Sequence, residues 1–290
     1  MISMIRKGII MKGSWKAVFI IVFFGLSMVL FVVLSHMRPF FDTTTDVLAR
    51  GLFLALLVVC FFVASRIDAL NKTRPVFVAL AIAMAAMSAD LYRHTTKTIL
   101  NILTVEANSP FGIALDKLDS TVILVSILLI LSHFAKDDLT SLSIRTGKKP
   151  DVTFGLIAFG VCVLGCLPMA GLFGAQDLSI ERVLPWIPFI LVFVFANAFN
   201  EDLLFRALFL KKLDPIIGSV LSNGVLVIPF VLHHTGVDYS PDTLMLFAFL
   251  FPLAFVWGRL TQKTGNLWNA VLFHAGTDLP VILVLLSRIK

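Results

Sequence analysis

The chain has 290 residues, of which 58% are hydrophobic and only 14% are charged, and its formal net charge is +6. A water-exposed surface cannot be built from this composition, so a soluble globular domain is excluded. The mean hydropathy of +0.95 instead indicates a multi-spanning α-helical membrane protein.

A membrane span needs about 20 mostly apolar residues, because a helix rises about 1.5 Å per residue across a hydrocarbon layer roughly 30 Å thick. The predicted fold class is therefore all-α, a polytopic transmembrane helical bundle of about eight to nine spans. The predicted spans lie near residues 17–35, 47–65, 75–91, 120–134, 152–173, 185–206, 216–234, 243–258 and 267–287.

The longest polar stretch divides these spans into two groups. Residues 136–151 are predicted to form a polar linker between an N-terminal membrane region of about four spans, residues 1–135, and a C-terminal membrane core, residues 152–290. A second polar insertion, residues 93–119, lies between the third and fourth spans.

Basic residues are distributed unevenly between the two sets of connections. With the N-terminus inside, the inner segments hold 15 Lys and Arg residues and the outer segments hold 7. Because basic residues are retained on the cytoplasmic side, we expect a cytoplasmic N-terminus and an integral multi-pass protein of the cytoplasmic (plasma) membrane. The basic residues form no groove-like cluster, so the positive charge indicates contact with anionic lipid and not with nucleic acid.

Ionisable residues inside apolar helices are the most informative feature, because each costs at least about 2.5 kcal/mol at the membrane centre on insertion scales. The sixth span carries Glu201, Asp202 and Arg206 within two turns. Asp202 and Arg206 lie one turn apart on one face and are predicted to pair. Glu201 points about 100° away, on the face of Phe205, with no cation beside it. A carboxylate in such a place is suited to act as a general base or acid.

Histidines occur in the next spans. Phe230 and His234 lie one turn apart, and so do His274 and Asp278. His233, taken alone, is interpreted as a histidine whose hydrogen bonds are satisfied near the interface. Glu201, His234 and His274 taken together indicate a functional site.

The depth of His234 sets a condition on this site. If its span began at Ile216, His234 would lie about 27 Å from the inner face, deeper than the other two residues. Pro215, Gly218 and Asn223 are helix breakers, so residues 214–223 are predicted to form an interfacial elbow that brings His234 to the level of the others.

These residues resemble the CPBP intramembrane proteases, also called the Abi or CAAX-protease-like family, which includes the Rce1-type prenyl-protein endopeptidases. The family motifs are Glu-Glu-x-x-x-Arg, Phe-x-x-x-His and His-x-x-x-Asn or Asp. The chain shows these motifs in the same order, with similar separations, across roughly residues 150–290. Asp202 departs from the family pattern, where a second Glu is usual. The motifs here are Glu201-Asp202-x-x-x-Arg206, Phe230-x-x-x-His234 and His274-x-x-x-Asp278.

The resemblance implies an intramembrane endopeptidase that hydrolyses a peptide bond without a covalent intermediate. It implies that Glu201 and His234 activate a water molecule and that His274 with Asp278 stabilises the developing oxyanion. Asp202 and Arg206 would hold the helix that carries the base, and Phe230 and Phe205 would support the site or the substrate.

Cofactor use is left open by the residues. The expectation is a glutamate-type mechanism with no cofactor, since no His-Glu-x-x-His motif is present. The alternative is a divalent metal such as zinc, held by Glu201, His234 and His274.

The expected partners are the lipid bilayer and a membrane-anchored or lipid-modified protein or peptide substrate. A prenylated C-terminus, a bacteriocin leader and a membrane-anchored sorting tail are all compatible with the motifs. The alternative functions are a transporter, which also uses buried ionisable residues, and a non-catalytic membrane immunity or peptide-binding protein. The oligomeric state is left open.

Overall fold

The computed structural model describes residues 13–37, 39–144, 151–235 and 242–289, and within these ranges the chain forms helices and no strands. Parts of the predicted organisation fall outside the described residues: positions 1–12 and 38 of the N-terminal region, positions 145–150 of the linker, and positions 236–241 and 290 of the C-terminal core. The helices are α1 (Gly13–Met28), α2 (Thr43–Arg66), α3 (Arg74–Leu91), α4 (Thr95–Leu103), α5 (Pro110–Phe134), α6 (Thr153–Leu172), α7 (Ile180–Val183), α8 (Ile187–Asp202), α9 (Leu210–Ile217), α10 (Ser219–His233), α11 (Thr243–Thr264) and α12 (Trp268–Ser287).

The all-α polytopic bundle is confirmed, and each predicted span contains a helix. Seven helical segments of the described chain are long and apolar enough to cross a membrane. Two of the nine predicted spans are not among them. Helix α10 has only 15 residues, and the first turns of α5 carry Asp116, Lys117 and Asp119. The insertion between the third and fourth spans also contains a helix, α4, which the sequence interpretation did not include.

Large apolar side chains face outward on the peripheral helices. On α2, Leu52 is 73% exposed, and on α6, Leu164 is 86% exposed. In a protein with seven apolar spans, such surfaces match a hydrocarbon solvent and not water. The protein is therefore an integral multi-pass membrane protein.

Helix α8 lies at the centre of the bundle between α5 and α12. Helices α5 and α8 run in parallel, since Phe111 contacts Phe189 and Thr121 Oγ1 donates a hydrogen bond to the Ala196 carbonyl at 3.0 Å. Helix α1 reaches the same core, since Phe23 contacts Phe209 with ring centroids 6.0 Å apart. The N-terminal and C-terminal regions therefore share one core.

Helices α6 and α12 approach closely because small residues lie at their crossing. A Cβ atom added at Gly276 would lie 2.8 Å from Cys162 Cβ and 3.1 Å from the Phe159 backbone. A Cβ atom added at Gly155 would lie 2.9 Å from Leu272 Cβ. These approaches place the site-bearing helix α12 against the lipid-exposed helix α6 without space for larger residues.

Connections that the sequence assigns to the inner side of the membrane contact one another at one end of the bundle. Lys212 forms a salt bridge with Asp137 at 2.8 Å. Trp268 Nε1 donates to the Ile144 carbonyl at 3.0 Å, which joins the start of α12 to the linker. The orientation of this end toward the cytoplasm stays a prediction.

Of the elbow predicted over residues 214–223, the structure shows a helix break at Gly218, while its interfacial position stays a prediction. Helix α9 ends and α10 begins at Gly218, whose φ of 89° lies in the region that favours glycine. Asp214 accepts a hydrogen bond from Gln262 Nε2 at 2.8 Å, so polar side chains surround the break. Residues 219–223, predicted as part of the elbow, instead form the first turn of α10.

Candidate active site

Glu201 and Asp202 are the last two residues of α8, directly before a π-helical turn over Leu203–Ala207. The backbone N–H of Leu208 donates to the Leu203 carbonyl at 3.1 Å, five residues back, which widens the helix at this point. Insertions of this kind are rare in α-helices and frequently lie at functional sites.

Glu201 lies between two imidazoles that come from different helices. Its Oε2 atom is 3.7 Å from His234 Nε2 and 3.6 Å from His274 Nε2. Glu201, His234 and His274 are 8%, 7% and 1% exposed. The structure thus brings together the three residues that the sequence proposed as one site, although they are separated by 33 and 40 positions.

The tautomer of His234 follows from its second nitrogen. Its Nδ1 atom is 2.9 Å from the Phe230 carbonyl, which can only accept a hydrogen bond. Nδ1 therefore carries a proton, and Nε2 is an acceptor facing Glu201 when the ring holds that proton alone. In that form two acceptors, a carboxylate oxygen and an imidazole nitrogen, face each other 3.7 Å apart.

His274 is surrounded by carboxylates. Its Nδ1 is 3.5 Å from Asp202 Oδ2, and its Nε2 is 3.6 Å from Asp278 Oδ1 as well as from Glu201. The indole of Trp257 stacks on the imidazole with centroids 3.8 Å apart. Both ring nitrogens thus face acceptors, and the stacking holds the plane of the ring, which suits His274 to donate hydrogen bonds.

Asp202 and Arg206 form the predicted pair. Arg206 Nη1 is 2.8 Å from Asp202 Oδ1, and both side chains are buried. The guanidinium carbon also lies 4.3 Å from the centre of the Phe230 ring and 5.1 Å from that of Trp257. Asp202 therefore connects Arg206 to His274, which a carboxylate one methylene shorter than Glu can still do.

The two phenylalanines of the proposed site are packing residues behind it. Phe205 contacts Phe230 with centroids 4.9 Å apart and Phe31 of the N-terminal region with centroids 4.3 Å apart. Both side chains are 1% exposed. They support the site, and a direct contact with substrate stays untested.

His233 has hydrogen-bond partners, as the sequence interpretation held. These partners come from the N-terminal region. Its Nδ1 lies 2.6 Å from the Phe31 carbonyl and 3.1 Å from Ser35 Oγ. Phe31 and Ser35 follow α1, so the end of the first span positions the helix that carries His234.

Two residues of the site were missed by the sequence interpretation. Asn197 Nδ2 donates to Asp278 Oδ2 at 2.9 Å. The sequence could have indicated Asn197, because it is a polar residue one turn before Glu201 on the same face of an apolar helix. Trp257 had no such signal, since an aromatic residue in an apolar span is ordinary.

A metal ion needs several donor side chains that converge on one point. Among the described residues, no group of three or more His, Cys, Asp and Glu side chains is arranged to hold one. His274 Nε2 is shared between two carboxylates in this arrangement. A divalent metal held by Glu201, His234 and His274 stays an untested alternative.

The fold and the site together define a class: a polytopic helical membrane protein with a buried Glu, His and Asp cluster. Residues 183–280 match the family described as type II CAAX prenyl endopeptidase Rce1-like. The match includes all three motifs and confirms the resemblance to the CPBP family. At the level of the family, this match supports a CAAX-type intramembrane protease, a hydrolase that acts on membrane-associated substrates. Comparisons with curated proteins and with solved structures found no match.

Proposed function

We propose that the protein hydrolyses a peptide bond of a membrane-anchored or lipid-modified substrate with water activated by Glu201 and His234. The observation that carries the proposal is the position of Glu201 Oε2 within 3.7 Å of His234 Nε2 and 3.6 Å of His274 Nε2 in a buried site.

The first step uses the two facing acceptors. A water oxygen can lie about 2.8 Å from both atoms, because their 3.7 Å separation is less than twice that distance. The water donates one hydrogen to each acceptor, which directs its oxygen lone pair away from them and toward the scissile carbonyl. Glu201 then takes the proton as the water attacks and passes it to the leaving amine.

The second group of residues stabilises the negative charge that develops on the carbonyl oxygen. His274 is the donor, and Asp202 and Asp278 orient its ring through their contacts with the two nitrogens. Loss of one such donor costs about 2.7 to 4 kcal/mol of transition-state stabilisation in other hydrolases. Arg206 offsets the charge of the carboxylates and holds Asp202 in place.

A cleavage assay with one isosteric substitution tests the proposal. The reconstituted protein is incubated with a peptide that carries an S-farnesyl cysteine followed by three apolar residues. Glu201→Gln keeps the shape of the side chain and removes the base, so kcat should fall by about 100-fold or more. The kcat of His234→Gln should fall to a similar extent.

Glu181→Gln is the matched control, because Glu181 is exposed on α7. It should cleave at the wild-type rate. Full activity of Glu201→Gln would contradict the mechanism, and loss of wild-type activity in a chelator would show that a metal takes part. Proton-driven flux through the vesicles without cleavage would support a transporter instead.

A further inference from the structure

An apolar groove runs along α3 between α2 and α5, both of which pack against α3. It has a volume of about 540 Å³, and all the residues that line it are apolar. Phe77 and Ile82 of α3 are buried at its base, whereas Val58 and Phe62 on its α2 side are 52% and 59% exposed. In an integral membrane protein, such a groove is open to the hydrocarbon of the bilayer.

A polar cavity of about 240 Å³ continues the groove at the end of the bundle where α2 and α5 end and α3 begins. The groove and the cavity share three lining residues, Phe61, Val78 and Ala135. An apolar and a polar section therefore follow one another along one path. The other residues that line the polar cavity are Asn71, Arg74, Pro75, Asp137 and Lys212.

The charged residues that line the polar cavity are two cations and one carboxylate, which leaves one positive charge. Lys212 is paired with Asp137 at 2.8 Å. Within the described part of the chain, no carboxylate pairs with Arg74. Its Nη1 atom donates to the neutral amide of Asn71 at 3.4 Å, and its guanidinium carbon lies 4.8 Å from the centre of the Phe61 ring. The excess positive charge of the cavity is thus located on Arg74.

Arg74 also has a hydrogen-bond donor to offer. Its Nε atom is buried, and no described residue accepts a hydrogen bond from it. A buried donor without an acceptor is unfavourable, so an acceptor from a bound molecule stabilises this arrangement. A guanidinium group binds phosphate oxygens through charge-assisted hydrogen bonds, often two at once.

The path has the dimensions of one lipid leaflet. From Arg74 to Ile82 the groove extends over eight residues of α3, or about 12 Å at about 1.5 Å per residue. Half of a hydrocarbon layer roughly 30 Å thick is roughly 15 Å. A phosphate at Arg74 therefore lies level with the polar connections, and an acyl chain attached to it extends into the groove. Basic pockets between membrane-spanning helices are known to bind anionic lipid headgroups.

The opposite side of α2 provides a contrast. A second apolar groove, of about 240 Å³, lies there against α1, and none of the described residues that line it is charged. Charge complementarity with an anionic headgroup is thus specific to the groove that ends at Arg74.

We propose that the groove and the polar cavity together bind one anionic phospholipid, with its phosphate at Arg74 and an acyl chain between α2 and α5. A headgroup with one negative charge balances the positive charge of the cavity, whereas a zwitterionic headgroup brings a further cation. None of the lining residues belongs to the candidate active site, so lipid binding and peptide hydrolysis are measured independently.

Native mass spectrometry of the purified protein tests this site, with dioleoyl phosphatidylglycerol and dioleoyl phosphatidylcholine as probes. The wild-type protein should bind phosphatidylglycerol about tenfold more tightly, because charge-assisted hydrogen bonds are the strong ones. Arg74→Gln should remove this preference. Arg66→Gln is the matched control, because Arg66 is an exposed arginine at the same end of the bundle and lines neither the groove nor the cavity. It should keep the preference.

Asp137→Asn distinguishes a loss of charge from a loss of structure. Removal of this carboxylate leaves Lys212 without its partner and makes the cavity more positive. Phosphatidylglycerol should then bind about two- to fivefold more tightly than to the wild-type protein. Unchanged or weaker binding would contradict the role of charge in this site.

Other results would overturn the proposal. These are equal affinities of the wild-type protein for the two lipids, or an equal loss of the preference in Arg74→Gln and Arg66→Gln. Thermal stabilisation by inorganic phosphate as large as that by phosphatidylglycerol would show that a free anion occupies the cavity instead. A lipid-free dimer that is lost in Phe62→Ser would assign the groove to a second copy of the chain.

Discussion

At the scale of single residues, the site combines four ionisable side chains that are all buried. Arg206 faces Asp202, and Glu201 and Asp278 lie on either side of His274. Removing one member of a buried pair leaves the other without compensation, which costs about 3–5 kcal/mol. The pair is therefore expected to contribute to the order of the site more than to its chemistry.

The Asp202 and Arg206 pair gives a prediction for stability. Arg206→Met should lower the free energy of unfolding by about 3–5 kcal/mol, because Asp202 is then buried alone. Adding Asp202→Asn should restore part of the loss. Thermal unfolding in detergent measures both, and strictly additive losses would show that the two side chains do not interact.

Asp202→Glu is the informative conservative variant. A carboxylate at this position is required to contact both Arg206 and His274. The longer side chain has the residue type that is usual in the family motif, so we expect cleavage within a few-fold of wild type.

At the scale of helices, the position of α12 depends on small residues between its two functional positions. Gly276 lies between His274 and Asp278 and touches Phe159 and Cys162 of α6. The contact leaves no space for a side chain without displacement of α12, and overpacking costs about 1–3 kcal/mol.

Gly276→Ala should therefore lower both the melting temperature and kcat, since displacement of α12 moves His274 away from Glu201. Gly160→Ala on α6 is the control, because a Cβ atom there meets nothing within 4 Å. Comparable effects of the two substitutions would show that helix propensity and not the close approach is responsible.

At the scale of the whole molecule, the N-terminal region does more than anchor the chain. The end of α1 bonds His233 through the Phe31 carbonyl and Ser35, and α5 lies along α8. The family match covers residues 183–280, and the N-terminal partners in these contacts lie outside that segment. The division into an N-terminal region and a catalytic core stays a prediction. In the structure, residues of both regions pack against each other around α8.

Orientation is the prediction that belongs to this scale. Lys97 and Lys263 are exposed near opposite ends of the bundle. In a variant without native cysteines, Lys263→Cys should react with a membrane-impermeant maleimide only after the cells are opened, and Lys97→Cys should react in intact cells. The reverse pattern would contradict the cytoplasmic N-terminus.

Much of the fold follows from composition and local pattern. Apolar runs of span length predicted a helix in each of the nine segments, because lipid requires that backbone hydrogen bonds be satisfied within the helix. Local pattern identified Pro215, Gly218 and Asn223 as helix breakers but could not show that the chain breaks at Gly218 alone. Charges in the first turns of α5 and the break at Gly218 depend on neighbours that supply polar partners.

The sequence by itself determined the membrane environment, the helices, the three motifs and the pairing of Asp202 with Arg206, because these depend on spacing along one helix. The tertiary structure alone decided that Glu201, His234 and His274 meet and that Trp257 and Asn197 belong to the site. Contacts between helices depend on packing of distant segments, and the period of a single helix carries no information about which helix it faces.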